Sequence, residues 1–247
     1  MASSPTFSVK QIQTYKCCPH QYFLRYVRKR RGAIVVNPAM SRGSTAHAVL
    51  GQTFNVFRQQ GAFPTNVRDR VSRHLPRRTD DEDAHWQEDI DMVTGWIDVA
   101  VSTHDPTSQI VAVERVYTYP FPGRWGEPAF ALTSRIDLIA RHEDETVEHI
   151  DWKTGGTPIV DRIQNVGSRI ALGRTLQEGH IRSTTRFLAL DTCRSATLTR
   201  DEVRDTWEEI KDLAQRIIAD DDWEPVENAL CPYCPYRDQG CPLMGNG

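Results

Sequence analysis

The stretch SRIDLIARHEDETVEHIDWKTGG, residues 134–156, constrains the fold more than any other part of the chain. Two runs rich in Ile, Val, Leu and aromatic residues, 129–141 and 146–153, flank the short polar link His142–Glu145 and read as an antiparallel hairpin. A third run of the same kind, 109–119, precedes them. Asp137 interrupts the first hairpin strand; Asp151 and Lys153 interrupt the second. Side chains alternate faces along a strand, so Asp151 and Lys153, two apart, project to the same side. Closure near 142–145 sets Asp137 roughly opposite Asp151.

Charged side chains within apolar strands are costly unless something pairs with them. Two facing carboxylates repel, a divalent cation removes the repulsion, and an adjacent lysine can orient and polarise a water. That set suits metal-assisted phosphodiester hydrolysis, and all-oxygen ligation suits Mg²⁺ or Mn²⁺. The competing reading is an exposed hairpin whose ion pair contributes about 0–1 kcal/mol. Asp137 in its apolar frame and the Thr-Gly-Gly after Lys153 weigh against it. His47 sits with Leu50, Phe54 and Phe57 on one face of a helix expected over 43–60. A lone histidine there is ordinarily a core residue. If that helix packs on the hairpin, its imidazole completes a mixed carboxylate–His site acceptable to Mn²⁺.

The second constraint is Cys231-Pro-Tyr-Cys234-Pro-Tyr-Arg-Asp-Gln-Gly-Cys241, a C-x2-C-x6-C pattern in a tail too short and irregular to fold without a staple. Of the 247 residues six are cysteines, and MASSPTFSVK is not a secretory leader. The expected compartment is therefore the reducing cytoplasm, where such a pattern points to metal before disulfides. A fourth ligand must come from elsewhere. Cys18, preceding a helix-starting proline, is preferred to Cys17; Cys17 and Cys193 read as small hydrophobes. Four thiolates could hold tetrahedral zinc or a [4Fe–4S] cluster, and ligand identity does not choose between them.

Around these motifs the periodicity predicts mostly helix. Ser8 with Gln11, and Thr199 with Glu202, form capping boxes. The first helix should break at Cys18-Pro19, and the next should face inward through Tyr22, Phe23, Tyr26 and Val27. Trp86, Ile90, Val93, Ile97 and Ala100 mark one amphipathic helix; Val203, Trp207, Ile210, Ala214 and Ile217 mark another. A helix near 160–178 and a strand near 184–191 lie between the hairpin and Thr199. The net charge of −3 excludes a uniformly basic nucleic-acid coat but not a local basic channel. Arg25, Arg28, Lys29, Arg30 and Arg31 form one basic cluster, and Arg68, Arg70, Arg73, Arg77 and Arg78 another, the latter followed by acidic Asp80 to Asp83. No apolar run approaches the roughly 18 residues of a membrane span.

His47, then Asp137, then Asp151-Trp152-Lys153, between an N-terminal YKCCPHQYFLRYV and the cysteine trio, resembles the RecB-like branch of the PD-(D/E)xK nucleases. The resemblance is to its iron–sulfur subgroup: the CRISPR-associated exonuclease Cas-four family and the AddB nuclease domain. It runs from about Phe7 to Pro242. It implies an α/β fold with a restriction-endonuclease-like αβββαβ core, N-terminal helices and a C-terminal cysteine-rich iron–sulfur clasp. One nuclease domain would span 1–247: helical segment 1–42, core with helical insertion 43–222, clasp 223–247.

The resemblance also implies roles. Asp137, Asp151 and Lys153 would be catalytic. His47, Asp137, Asp151 and the Trp152 carbonyl would hold Mn²⁺ or Mg²⁺, and Cys18, Cys231, Cys234 and Cys241 a structural [4Fe–4S] cluster. The family often carries a Gln followed four residues later by Tyr. Gln164 matches but Ser168 stands at the Tyr position, and Glu114 matches a family glutamate loosely, so both stay outside the expected core. The implied activity is single-stranded DNA exonuclease, with endonuclease activity open. Its setting would be recombination and repair, phage DNA metabolism or CRISPR spacer acquisition. The implied partners are DNA, a second copy of the chain, or proteins of recombination or CRISPR adaptation, and no membrane. The alternative is a catalytically weak iron–sulfur or zinc nucleic-acid-binding or assembly subunit.

Overall fold

The computed structural model describes residues 4–32, 38–77, 83–123, 129–176, 181–196 and 199–244. The elements run β1 (Thr6–Ser8), α1 (Val9–Cys17), α2 (Pro19–Tyr22), a π-helical turn (Phe23–Val27), α3 (Pro38–Gln60), α4 (Val67–His74) and α5 (Asp83–Ser102). There follow β2 (Gln109–Phe121), β3 (Phe130–Arg141), β4 (Val147–Lys153), α6 (Arg162–Leu176), β5 (Ile181–Phe187), β6 (Thr192–Ala196), α7 (Arg200–Ala219) and an irregular tail. The expected αβββαβ order is thus α3–β2–β3–β4–α6–β5. Arg78 and the acidic Asp80, Asp81 and Glu82 lie outside the described residues.

Both capping boxes form. Gln11 N–H donates to Ser8 Oγ at 3.1 Å and Ser8 N–H to Gln11 Oε1 at 2.7 Å; Thr199 and Glu202 exchange the same pair. Such caps contribute on the order of 1 kcal/mol each. The chain leaves α1 at Cys18, whose extended backbone hands over to Pro19. Beyond it the expected inward face is corrected. Tyr22 is buried, but Leu24 takes the next inward position and Val27 is exposed. The π turn advances fewer degrees per residue than an α-helix, so the 3-4 spacing loses phase.

β3 organises a mixed sheet. β2 runs antiparallel along one edge of it, from Phe130 to Arg141. The other edge is shared: β1 pairs parallel with Ala131–Thr133, and β4 pairs antiparallel with Leu138–Arg141. β4 continues the sheet to parallel β5 and then to antiparallel β6. β5 begins at Ile181 and ends at Phe187, not over 184–191. A 3₁₀ turn follows, Asp191 takes a left-handed conformation (φ 48°), and the chain reverses into β6. Cys193, on this edge strand, is exposed and not the small core residue expected.

Helices cover both faces. Val49, Leu50, Phe54, Ile90, Val93 and Ile97 of α3 and α5 pack on Leu138, Ile150 and Trp152. On the other side Ile12, Val166, Ile210 and Leu213 of α1, α6 and α7 pack on Leu132, and Ala171 and Leu172 on Ile136 and Val147. The tail folds back onto α1 and α2. Trp223 stacks on Tyr22 and Phe23, with centroids 5.6 Å away in each case. Asn228 Nδ2 donates to the Cys17 carbonyl at 3.1 Å, and Tyr236 Oη to the Arg30 carbonyl at 3.1 Å. No described helix is long and apolar enough to cross a membrane.

Candidate metal centre and cysteine site

The β3–β4 ladder stops at Leu138↔Ile150. The next N–H, that of Trp152, donates to Asp137 Oδ2 at 2.9 Å, so a side chain replaces the ladder bond where the strands fork. Counting on from that register sets Asp137 opposite Asp151. Counting between Val113↔Leu138 and Arg115↔Ile136 sets Glu114 opposite Asp137. Three carboxylates from three neighbouring strands therefore stand in one row. The pleat slips there: Ile136 packs toward α6, yet Leu138, two residues on, packs toward α3. Glu114 on the adjoining strand takes φ 52°, a left-handed conformation rare outside glycine and a frequent mark of functional sites.

α3 supplies the histidine. Its apolar face seats Leu50 and Phe54 against Trp152, whose indole is fully buried, and so anchors the helix on the hairpin. His47 Nδ1 then lies 3.5 Å from Asp137 Oδ2 and 4.0 Å from Glu114 Oε1. One turn along, Gly51 permits this approach: a Cβ there would meet Glu114 Cγ at 3.0 Å. Ligand atoms of His47, Glu114 and Asp137 all fall within 4.8 Å of one another, the spacing of a cation site. This oxygen-rich set with one imidazole fits Mn²⁺ or Mg²⁺ by donor chemistry.

Asp151 has partners of its own beside this set. Lys153 Nζ lies 2.9 Å from its Oδ2, as the two-residue spacing predicts. Gln164 of α6 joins them, donating from Nε2 to Asp151 Oδ1 at 2.5 Å and accepting from Lys153 Nζ at 2.9 Å. Asp161, whose Oδ1 accepts the Gln164 N–H at 3.0 Å, starts the helix that carries it. Gln164 and Glu114, both held outside the core on sequence grounds, thus belong to the constellation. The signal for Glu114 was available: like Asp137, it is a lone carboxylate in an apolar strand. Ser168, at the position of the absent Tyr, instead hydrogen-bonds Ser134 in the interior at 2.7 Å.

The electrostatics are those of crowded acids. Burial pushes Asp151 up to about 6; Lys153 opposes the shift and Asp137 adds to it. Burial also raises Glu114, helped by Asp137 and partly offset by Arg135, whose Nε donates to Glu114 Oε2 at 2.5 Å. Burial disfavours the imidazolium of His47, but its Asp137 contact and the charges of Asp137, Glu114 and Asp151 outweigh that and hold it above its ordinary value.

Cys18, Cys231, Cys234 and Cys241 line one cavity of about 410 Å³, together with Cys17, which its place at the end of α1 had set aside. Burial raises the thiols of Cys17 and Cys234, and neighbouring cysteines add to it. The soft donors suit zinc or an iron–sulfur cluster. A zinc tetrahedron with bonds of about 2.3 Å needs sulfurs about 3.8 Å apart. Among the described residues, only the His47–Glu114–Asp137 set brings three such donor atoms within 4.8 Å.

The two basic clusters differ. Arg68 and Arg77 pair with Asp91 and Asp83 of α5, while Arg70 and Arg73 donate to neutral oxygens. Arg25 and Arg28 lie over the rings of Tyr26 and Phe23.

Comparison with known proteins agrees with the fold. Among curated proteins none matches the sequence. The crystal structure of SSO0001 superposes with a TM-score of 0.50 at 14% identity, covering 100% of this chain and 90% of that one, a likeness of fold. The family model for the PD-(D/E)XK nuclease superfamily, whose members are metal-dependent nucleases, matches residues 6–242. The chain belongs to the PD-(D/E)XK nuclease superfamily.

Proposed function

We propose that this protein is a divalent-metal-dependent deoxyribonuclease acting on single-stranded DNA or free ends, folded as one nuclease domain. The observation that carries the proposal is the row Glu114–Asp137–Asp151 beside Lys153, with His47 set over it. His47, Asp137, Asp151 and the Trp152 carbonyl would hold Mn²⁺ or Mg²⁺, and Glu114 joins them. The bound cation supplies Lewis acidity toward the phosphate, a lowered pKa for water and charge for the leaving oxygen.

The chain's own groups do the rest. Lys153 Nζ, held by Asp151 and Gln164, is placed to orient the attacking water and to offset the charge developing on the phosphate. Asp137 takes the Trp152 N–H where the ladder ends, which fixes its carboxylate at the fork. Arg135 restrains Glu114. Cys18, Cys231, Cys234 and Cys241 would hold a [4Fe–4S] cluster that cross-links the chain ends already joined by Trp223 and Asn228. Recombination and repair, phage DNA metabolism or CRISPR adaptation each call for such an enzyme.

The test is release of nucleotides from end-labelled single-stranded DNA by cluster-loaded protein in Mn²⁺ or Mg²⁺. Asp151→Ala and Lys153→Ala should lower the rate by several orders of magnitude. Variants that cut like the wild type would sink the proposal.

A further inference from the structure

Between β1 and β4, residues 134–137 of β3 have no strand partner on that edge among the described residues. The gap opens into a polar groove of about 490 Å³ that starts at the candidate site, since Lys153 and Gln164 line it. Arg135 of β3, Lys10 and Gln13 of α1, and Ile159 also line it. Asp161 is the groove's carboxylate, and it is engaged with the Gln164 N–H. Lys153 and Arg135 are committed to Asp151 and Glu114. Lys10 is exposed, and no carboxylate pairs with it among the described residues.

We infer that this groove seats the nucleotides next to the scissile phosphate, with Lys10 contacting a backbone phosphate and Gln13 the adjoining sugar or base. The inference rests on the nuclease reading above and names positioning residues for it. Cavities of roughly 300–1,000 Å³ enclose drug-sized ligands, so this one accommodates on the order of one or two nucleotides of a single strand and not a duplex.

The experiment is fluorescence anisotropy of a labelled oligothymidylate with the full-length, cluster-loaded protein. EDTA keeps the strand uncut, and affinity is followed across a salt series. One lost phosphate contact lowers the magnitude of the log Kd against log salt slope by about 0.7 for single strands. Lys10→Ala should show that decrease with a several-fold weaker Kd, and Lys10→Arg should restore both. Gln13→Glu, which adds a negative charge to the same groove, should also weaken binding. Lys10 also lines the cysteine cavity, so iron content is measured in each variant and only equally loaded proteins are compared. Unchanged slope and affinity in Lys10→Ala and Gln13→Glu, with cleavage intact in the wild type, would overturn the groove alone. A wild type that neither binds nor cleaves overturns the nuclease reading itself. A duplex bound as tightly as the single strand overturns the single-strand fit.

Discussion

Asp151→Asn should make the metal-free protein more stable while abolishing cleavage. Burial lifts Asp151 from its ordinary 3.8 to about 6, so the native state holds its proton more tightly than the unfolded chain does. Wherever the native state binds more protons, stability falls as pH rises. The penalty begins near the unfolded pKa, grows through the folded pKa and is complete above it. A shift of about two units at about 1.4 kcal/mol each sets an upper figure of about 3 kcal/mol at pH 7.5, and roughly half of that at pH 5. Asn is isosteric and can still accept the Gln164 Nε2 bond, while Lys153 is partly exposed and stays hydrated. Urea denaturation in EDTA at the two pH values measures this. Asp151→Asn should gain more at pH 7.5 than at pH 5. Mn²⁺ should then stabilise the wild type, by about 2.7 kcal/mol at a hundred times its Kd, and the variant less at the same concentration, since His47, Glu114 and Asp137 remain. An Asp151→Asn variant no more stable than wild type at pH 7.5, or a gain independent of pH, would refute an unfavourable site offset by a cation.

Glu114→Gln removes one carboxylate of the three-donor set and should weaken Mn²⁺ affinity at least tenfold by titration calorimetry, with little change in melting temperature. Gly51→Ala puts a methyl 3.0 Å from Glu114 Cγ, so activity should fall more than stability; unchanged turnover would argue against Glu114 taking part. Trp223→Ala removes stacking on Tyr22 and Phe23 and an edge contact with Tyr15, and should cost about 2–3 kcal/mol in urea and expose the tail to proteolysis. Cys17→Ser should keep its iron while Cys18→Ser loses it; the reverse outcome would exchange their roles.

Local spacing was legible from the residues alone. The capping boxes depend on side chains three apart. The Asp151–Lys153 pair depends on alternation, and the hairpin on a polar link between apolar runs; none needs knowledge of the rest of the chain. A one-residue slip in a strand or a π turn in a helix breaks such counting, which is why Val27 is exposed and not inward. Which surfaces meet is a different question, settled by long-range packing. Trp152 and Phe54 seat α3 on the hairpin, and only then does His47 reach Asp137. The register of β2 on β3 decides that Glu114 stands beside Asp137, and the docking of α6 decides that Gln164 bridges Lys153 and Asp151. The pairing of Arg68 with Asp91 likewise appears only when α4 and α5 touch. Sequence therefore determined the hairpin, its acid–lysine pattern and the cysteine tail, because these are short-range regularities. The tertiary structure decided the membership of the site and the open edge of β3, because burial and strand register join residues far apart in the chain.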